Sequence, residues 1–153
     1  MSRLERFFST VPLLATLKPE QLASLAARSV ESHYRAGDLV LRAGEHNHSL
    51  FLLESGRLAV EVVRGQNTET VAHLHAGAPF GELSMITGRV CSADVRVVAD
   101  STVAIIPDEA LRELPEERHV IVQMLAMTMA ERLHTSISGR GEPTRARVVL
   151  LQQ

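Results

Sequence analysis

One glycine-rich segment combines residue types that could bind a phosphorylated ligand. It begins Phe80-Gly81-Glu82-Leu83-Ser84 and interrupts a series of alternating apolar residues. A glycine followed by a short helical turn exposes backbone N–H groups, which can hold a phosphate. A carboxylate accepts hydrogen bonds, so Glu82 suits a sugar hydroxyl beside that phosphate. From the residues alone the segment favours a nucleotide site, while a turn with a solvated glutamate is the alternative.

The same segment resembles the phosphate-binding cassette of cyclic nucleotide-binding domains. These domains are the sensor modules of catabolite-activator-type regulators, cyclic-nucleotide-dependent kinases and gated channels. The resemblance spans about residues 8–133 and implies a β-jelly-roll that holds cAMP or cGMP, has no other cofactor and is not an enzyme. The matching stretches are Tyr34-Arg35-Ala36-Gly37-Asp38, Gly44-Glu45, Phe51-Leu52-Leu53-Glu54-Ser55-Gly56, Gly77, Phe80-Gly81-Glu82-Leu83-Ser84 and Ser92-Ala93-Asp94-Val95-Arg96.

The resemblance also implies individual roles. The backbone from Gly81 to Ser84 would meet the phosphate, Glu82 the ribose 2′-hydroxyl, and Ser92 the purine. The family's phosphate-binding arginine falls at Cys91, and the proline that usually precedes it falls at Val90. A charge-assisted arginine–phosphate contact is worth about 1.5–3 kcal/mol, so its loss should weaken binding about 10- to 100-fold.

Cys91 leaves three alternatives for this site. In the first, Arg89 swings in and partly replaces the missing arginine. In the second, the domain binds a cyclic nucleotide weakly, through the backbone and Glu82 alone. In the third, the pocket is degenerate and the domain serves oligomerisation or protein docking. The predicted ligand-binding residues are Phe80, Gly81, Glu82, Leu83, Ser84, Arg89, Cys91 and Ser92, with no catalytic and no metal-binding residue.

Histidine pairs and the single cysteine suggest other chemistry. His46-Asn47-His48 and His73-Leu74-His75 could each place two imidazoles on one face of a strand, as in metal-binding cupin barrels. The first pair falls in a predicted loop, and its spacing to Glu54 does not fit a cupin, so we expect solvent-facing histidines. Cys91 is expected to be a small buried side chain; the alternative is a reactive thiol with a depressed pKa.

The elements around the segment change in character twice along the chain. Helical spacing up to about Ser29 gives way, from Val30 to Pro107, to short alternating runs separated by glycines, with a hairpin loop at Arg64–Asn67. Asp108 then suits the N-cap of a short helix, and Pro115 begins a longer helix that ends near Ser138. The pattern predicts a mainly β fold, a jelly-roll or double-stranded β-helix barrel with helices on both sides.

The end of the sequence suggests that the domain continues into another. We predict a domain over residues 1–137, followed by residues 138–153 as a linker and the possible start of a following domain. An effector in the same longer chain would then be controlled through the C-terminal helix. The apolar stripe of the Pro115–Ser138 helix either packs on the barrel or also forms a homodimer seam.

Composition excludes several classes of protein. The chain has 153 residues, of which 45% are hydrophobic and 22% charged, with a formal net charge of −2. These values suit one globular domain and argue against a disordered chain or direct nucleic acid binding. No apolar run approaches the roughly 20 residues of a membrane span. A single cysteine forbids an internal disulfide and fits a reducing compartment, so we expect a cytoplasmic protein.

Overall fold

The chain folds into an antiparallel sheet flanked by helices. The structure, a computed structural model, describes residues 1–140 and, from residue 132 onward, only the helical backbone. Its elements are α1 (Arg3–Thr10), a 3-10 turn (Pro12–Leu14), α2 (Pro19–Arg28), β1 (Val30–Tyr34), β2 (Leu39–Leu41), β3 (Ser49–Arg64), β4 (Asn67–Leu74), β5 (Pro79–Phe80), α3 (Glu82–Thr87), β6 (Asp94–Pro107), α4 (Asp108–Arg112) and α5 (Pro115–Arg140). The predicted mainly β fold with helices on both sides is confirmed.

Strand β3 organises the sheet, whose order is β1-β6-β3-β4 with β2 on β6 and β5 on β3. It pairs with β6 from Ser49↔Pro107 to Glu61↔Asp94, and register shifts between Leu53 and Leu58 interrupt the pairing. Such irregularities bend a strand and increase its twist, which lets one long strand serve a curved sheet. The predicted hairpin is confirmed, because β3 ends at Arg64 and β4 begins at Asn67.

Alternate side chains of β3 belong to two different hydrophobic clusters. Leu50 and Leu52 pack with the helices, whereas Phe51 and Leu53 pack with the strands on the other face. This is the period of two expected for a strand buried on both sides. The helical layer therefore lies on one face of β3, while the predicted ligand segment joins the other face through the Phe51↔Phe80 pair.

The helices after the sheet depart from the prediction in two details. Asp108 is not an N-cap, because Pro107 occupies that position and Asp108 is the first residue of α4. Helix α5 continues to Arg140, two residues beyond the predicted end. Its Ile121 and Leu125 are fully buried against the core, as the packing alternative expects. Residues 141–153 of the predicted linker lie outside the described part of the chain, and the domain division stays a prediction.

None of the helices described over residues 1–140 is long and apolar enough to span a membrane.

Candidate functional site

Gly81 is the turn that begins the candidate site. It adopts a left-handed conformation (φ 76°) between β5 and α3. A Cβ at this position would lie 2.8 Å from Asn47 Nδ2 and 3.0 Å from Phe51 Cδ1. Both the backbone conformation and the close approach therefore require glycine. The sequence pattern predicted this turn, but not the neighbour that crowds it.

Replacing Gly81 by alanine is expected to destabilise the chain by about 1–3 kcal/mol. Gly88 offers a matched control, because it also has a positive φ (74°) but its Cβ would meet nothing within 4 Å. Gly88→Ala therefore incurs the backbone cost without the crowding. Urea unfolding of the two variants measures the difference. Equal losses of stability would show that the contacts around Gly81 contribute nothing.

A cavity of about 320 Å³ lies between α3, the segment that follows it and the strands. This volume falls at the lower end of the range of small-molecule sites. Glu82 is only 4% exposed and contributes to the cavity wall, so it is not the solvated glutamate of a simple turn. All eight predicted residues contribute to this one wall: Phe80, Gly81, Glu82, Leu83, Ser84, Arg89, Cys91 and Ser92. That they bind a ligand stays a prediction.

The rest of the wall is largely apolar and comes partly from strands β2, β3, β4 and β6 and partly from α3 and the segment that follows it. Sequence patterns placed some of these residues on strands without assigning them to a pocket. They are Leu41, Val60, Leu74, Thr87, Val90, Ala93 and Val95. A polar segment facing apolar strand side chains suits a ligand with one polar end and one flat apolar end.

Cys91 occupies a fixed backbone position in this wall. Its N–H donates to Glu45 O at 2.8 Å, and its carbonyl accepts from Gly44 N at 2.7 Å. Burial raises the pKa of the thiol, and the nearby Glu45 carboxylate adds to that effect although a hydrogen bond with Ser84 opposes it. The alternative of a depressed thiol pKa is therefore wrong. A neutral thiol stands where the family resemblance places a cation.

Arg89 lies in the same wall but is exposed to solvent. Its carbonyl accepts a hydrogen bond from Ser84 Oγ at 2.6 Å, and its N–H donates to Thr87 Oγ1 at 3.2 Å. The backbone of Arg89 is thus held against α3, while the residue as a whole is exposed to solvent. Ser84 is 5% exposed and acts here as an internal brace of the segment.

Asn47 is the important residue that sequence analysis missed. It lies in the loop before β3, is 8% exposed and donates from Nδ2 to Gly81 O at 2.9 Å. Its own N–H also approaches Ser84 Oγ at 3.2 Å. An asparagine between two histidines in a predicted loop gives no signal of burial, because short amides are equally common in solvated turns.

The histidine pairs lie at the surface, as predicted. His46 and His48 are exposed in the loop before β3, where their rings stack with centroids 6.2 Å apart. His73 and His75 are exposed as well. Within the part of the chain that the structure describes, no three His, Cys, Asp or Glu side chains form a group that could hold a metal ion.

Sequence comparison then decides the family. The profile of the cyclic nucleotide-binding domain matches residues 31–118, which include all but the first residue of β1, the whole cassette and the start of α5. The chain belongs to this family. The curated relatives include the cAMP-dependent protein kinase regulatory subunit of Colletotrichum orbiculare, 32% identical over 110 residues that cover 72% of this chain and 28% of the relative. By its name that relative is a regulatory subunit.

Longer relatives carry this domain beside other functions. Glutaminase 2 of Bradyrhizobium diazoefficiens is 35% identical over 127 residues, which cover 79% of this chain but 19% of that protein. Among solved structures, the regulatory subunit of a cAMP-independent protein kinase A from Trypanosoma brucei has a TM-score of 0.72 at 21% identity, covering 82% of this chain and 46% of that one. The chain thus spans less than a third of these curated relatives, and the structural likeness supports the shared fold.

Proposed function

We propose that this chain is a sensor domain that binds cAMP or cGMP weakly and controls an attached effector through α5. The observation that carries the proposal is the position of Glu82. Its carboxylate-bearing side chain is buried in the wall of a small-molecule-sized cavity, at the first residue of α3. A ribose hydroxyl can donate to a carboxylate, while the adjacent backbone from Gly81 to Ser84 can donate to a phosphate.

Weak binding follows from the charges around the cavity. Cys91 is neutral where an arginine would face the phosphate, and Arg89 is exposed. The proposal combines two of the alternatives: the backbone and Glu82 supply the basal affinity, and Arg89 adds a screened attraction from the cavity rim.

The neutral thiol also favours a second candidate function. Without a cation to pair with the phosphate, the cavity would bind no nucleotide, and the fold would serve as a non-binding module for oligomerisation or protein docking. Calorimetry with cAMP and cGMP separates the two functions. Measurable binding by the native chain supports the sensor, whereas binding only after Cys91→Arg supports a lapsed pocket.

Replacing Glu82 by glutamine tests its assigned role. In a Cys91→Arg chain, Glu82→Gln is expected to weaken cAMP binding about tenfold, since hydrogen bonds to charged groups are worth about 1.5–3 kcal/mol. Binding of 2′-deoxy-cAMP should change little, because that ligand lacks the hydroxyl that Glu82 would accept from. Calorimetry with both ligands completes the cycle. Equal losses for the two nucleotides would contradict the contact with the 2′-hydroxyl.

The remaining expectations concern the protein around the domain. The proposed sensor is not itself an enzyme, acts in the cytoplasm, does not bind nucleic acid directly and has its effector in the same longer chain. A homodimer through the Pro115–Ser138 helix is part of this proposal. Met127 is 65% exposed on α5 and offers an apolar side chain for such a seam. Sedimentation of the chain and of Met127→Glu tests the dimer, which the charged variant should dissociate.

A further inference from the structure

The loop before β3 contains one buried residue between exposed neighbours. His46 and His48 are exposed, whereas Asn47 is 8% exposed. Its amide is fully engaged: Nδ2 donates to Gly81 O (2.9 Å) and to Ser49 O (2.8 Å), and Oδ1 accepts from Ser49 N (3.1 Å). A buried amide with this many partners fixes the groups that it joins, because leaving any of them unpaired is costly.

Asn47 holds the cassette at two points. The first is the carbonyl of Gly81, at the turn into α3. The second is Ser84, whose Oγ accepts from Asn47 N at 3.2 Å and donates to Arg89 O at 2.6 Å. Movement of α3 must therefore either carry the loop along or break these hydrogen bonds.

The other side of the same loop is attached to the helices after the sheet. The carbonyl of His48, next to Asn47, accepts from Asp108 N at 3.0 Å. Asp108 begins α4, is 6% exposed and receives Nε hydrogen bonds from Arg112 and Arg118, each at 2.8 Å. Arg118 lies on α5, so one buried residue joins the loop to that helix: the backbone N–H of Asp108 donates to the loop, and its carboxylate accepts from Arg118.

The charge state of Asp108 strengthens its hydrogen bonds with Arg112 and Arg118. Burial alone would raise the pKa of Asp108, but the hydrogen bonds from Arg118 and Arg112, with their positive charges, outweigh it and hold the pKa below its usual value. The carboxylate is therefore ionised at neutral pH. An ionised, buried acceptor shared by two arginines is a strong and directional attachment.

We propose that Asn47 is a positioning residue that couples the cassette to α5. A displacement of Gly81 passes to the loop through the Asn47 amide, and from the loop to α5 through His48, Asp108 and Arg118. The inference rests on the proposed function only in that a cyclic nucleotide would supply the displacement. A parallel apolar route runs from Met85 of α3, which packs in the same cluster as Ile121 and Leu125.

The polar route predicts coupled effects in the ligand-free chain. Asn47→Ala is expected to raise amide hydrogen exchange about tenfold both in α3 and in α5 over residues 119–130, because α5 loses a restraint on its pose. Asp108→Asn should likewise loosen α3 as well as α5. The double variant should change the exchange rates by less than the product of the two single effects. Asn67→Ala, at the exposed hairpin, is the control and should leave both helices unchanged.

Two results would overturn the proposal. One is that Asn47→Ala loosens α3 and leaves α5 at its parental exchange rate. The other is that the change in exchange rate in the double variant equals the product of the two single-variant changes within about twofold. Asn47→Ser, which keeps a short polar side chain, provides the same comparison if the alanine variant does not fold.

A second measurement separates this inference from the proposed function. In the Cys91→Arg chain, saturating cAMP should protect α5 from exchange when Asn47 is present and protect it much less in Asn47→Ala. If cAMP does not bind at all, the proposed function fails, but the ligand-free cycle still decides whether Asn47 couples the two helices. If cAMP protects α5 equally in both chains, the polar route is wrong and the apolar route through Met85 carries the coupling.

Discussion

Replacing Cys91 with arginine is expected to raise the affinity of the cavity for cAMP by about 10- to 100-fold. The substitution places a guanidinium in a wall that now presents a thiol kept neutral by burial. A charge-assisted contact with the phosphate is worth about 1.5–3 kcal/mol. Calorimetry of the native and variant chains measures the change. Cys91→Gln has a long polar side chain without the charge, so it should gain little.

One competitor for the new guanidinium is Glu45. Its carbonyl accepts a hydrogen bond from Cys91 N. Its carboxylate contributes to the raised pKa of the Cys91 thiol, and its Oε1 lies 3.7 Å from Arg42 Nε. An arginine at position 91 could pair with this carboxylate instead of the phosphate. The double variant Cys91→Arg/Glu45→Gln removes that competitor and should bind cAMP at least as tightly as Cys91→Arg. Equal binding by Cys91→Arg and Cys91→Gln, with no gain from Glu45→Gln, would contradict the charge-based account.

Replacing Glu54 with glutamine is expected to stabilise the chain above neutral pH and to leave it nearly unchanged near pH 4.5. One oxygen of Glu54 is buried and has no hydrogen-bond partner in the part of the chain that the structure describes. Burial, with a hydrogen bond and repulsion from Glu31, raises the pKa of Glu54 to about 7. The hydrogen bond from Glu54 is the main cause that lowers the pKa of Glu31, whose carboxylate also pairs with Arg3 of α1 at 2.6 Å.

The sign follows from where the proton binds more tightly. Glu54 holds its proton more tightly in the folded chain, so its stabilising contribution is complete below about pH 4.5 and is lost as the pH rises through about 7. Glu31 acts in the opposite sense, and its contribution is lost as the pH falls below 4.5. Glutamine imitates the protonated acid at every pH. After allowance for solvent screening, we expect a gain of about 1 kcal/mol at pH 8, or about 2–4 °C in Tm.

Thermal melting between pH 4.5 and 8 measures this effect as the difference between parent and variant. That difference cancels pH effects on stability that the parent and the variant share. Glu61→Gln is a matched control on the same strand, because its carboxylate pairs with Arg96 instead of a second acid. A constant difference between parent and Glu54→Gln across the whole interval would show that the two carboxyl groups do not share a proton.

The parts of the fold that sequence predicts best are those governed by local patterns. Alternating apolar residues and regularly spaced glycines identified the strands, and the hairpin between Arg64 and Asn67 followed from its turn residues. The cassette is contiguous in sequence, so its eight predicted residues could be named together, and the structure brings them to one cavity. Local conformation and a contiguous motif suffice for such features.

The parts that sequence did not reveal depend on pairing between distant segments. Asn47 meets Gly81 across 34 positions, and Glu54 meets Glu31 across β6, contacts that no periodicity encodes. Asp108 looked like an N-cap because its type suits one, but two arginines that approach from α4 and α5 give it a different role. Register and side-chain partnership arise only once the sheet is assembled.

The most direct test of the central claim is nuclear magnetic resonance of the native chain and of Cys91→Arg during titration with cAMP. The account predicts that the largest amide shifts fall on Gly81–Ser84 and on residues 91–93, at millimolar ligand for the native chain and at lower concentration for the variant. Shifts confined to other surfaces, or none in either chain up to saturating ligand, would contradict the claim that this cavity receives the sugar-phosphate of a cyclic nucleotide.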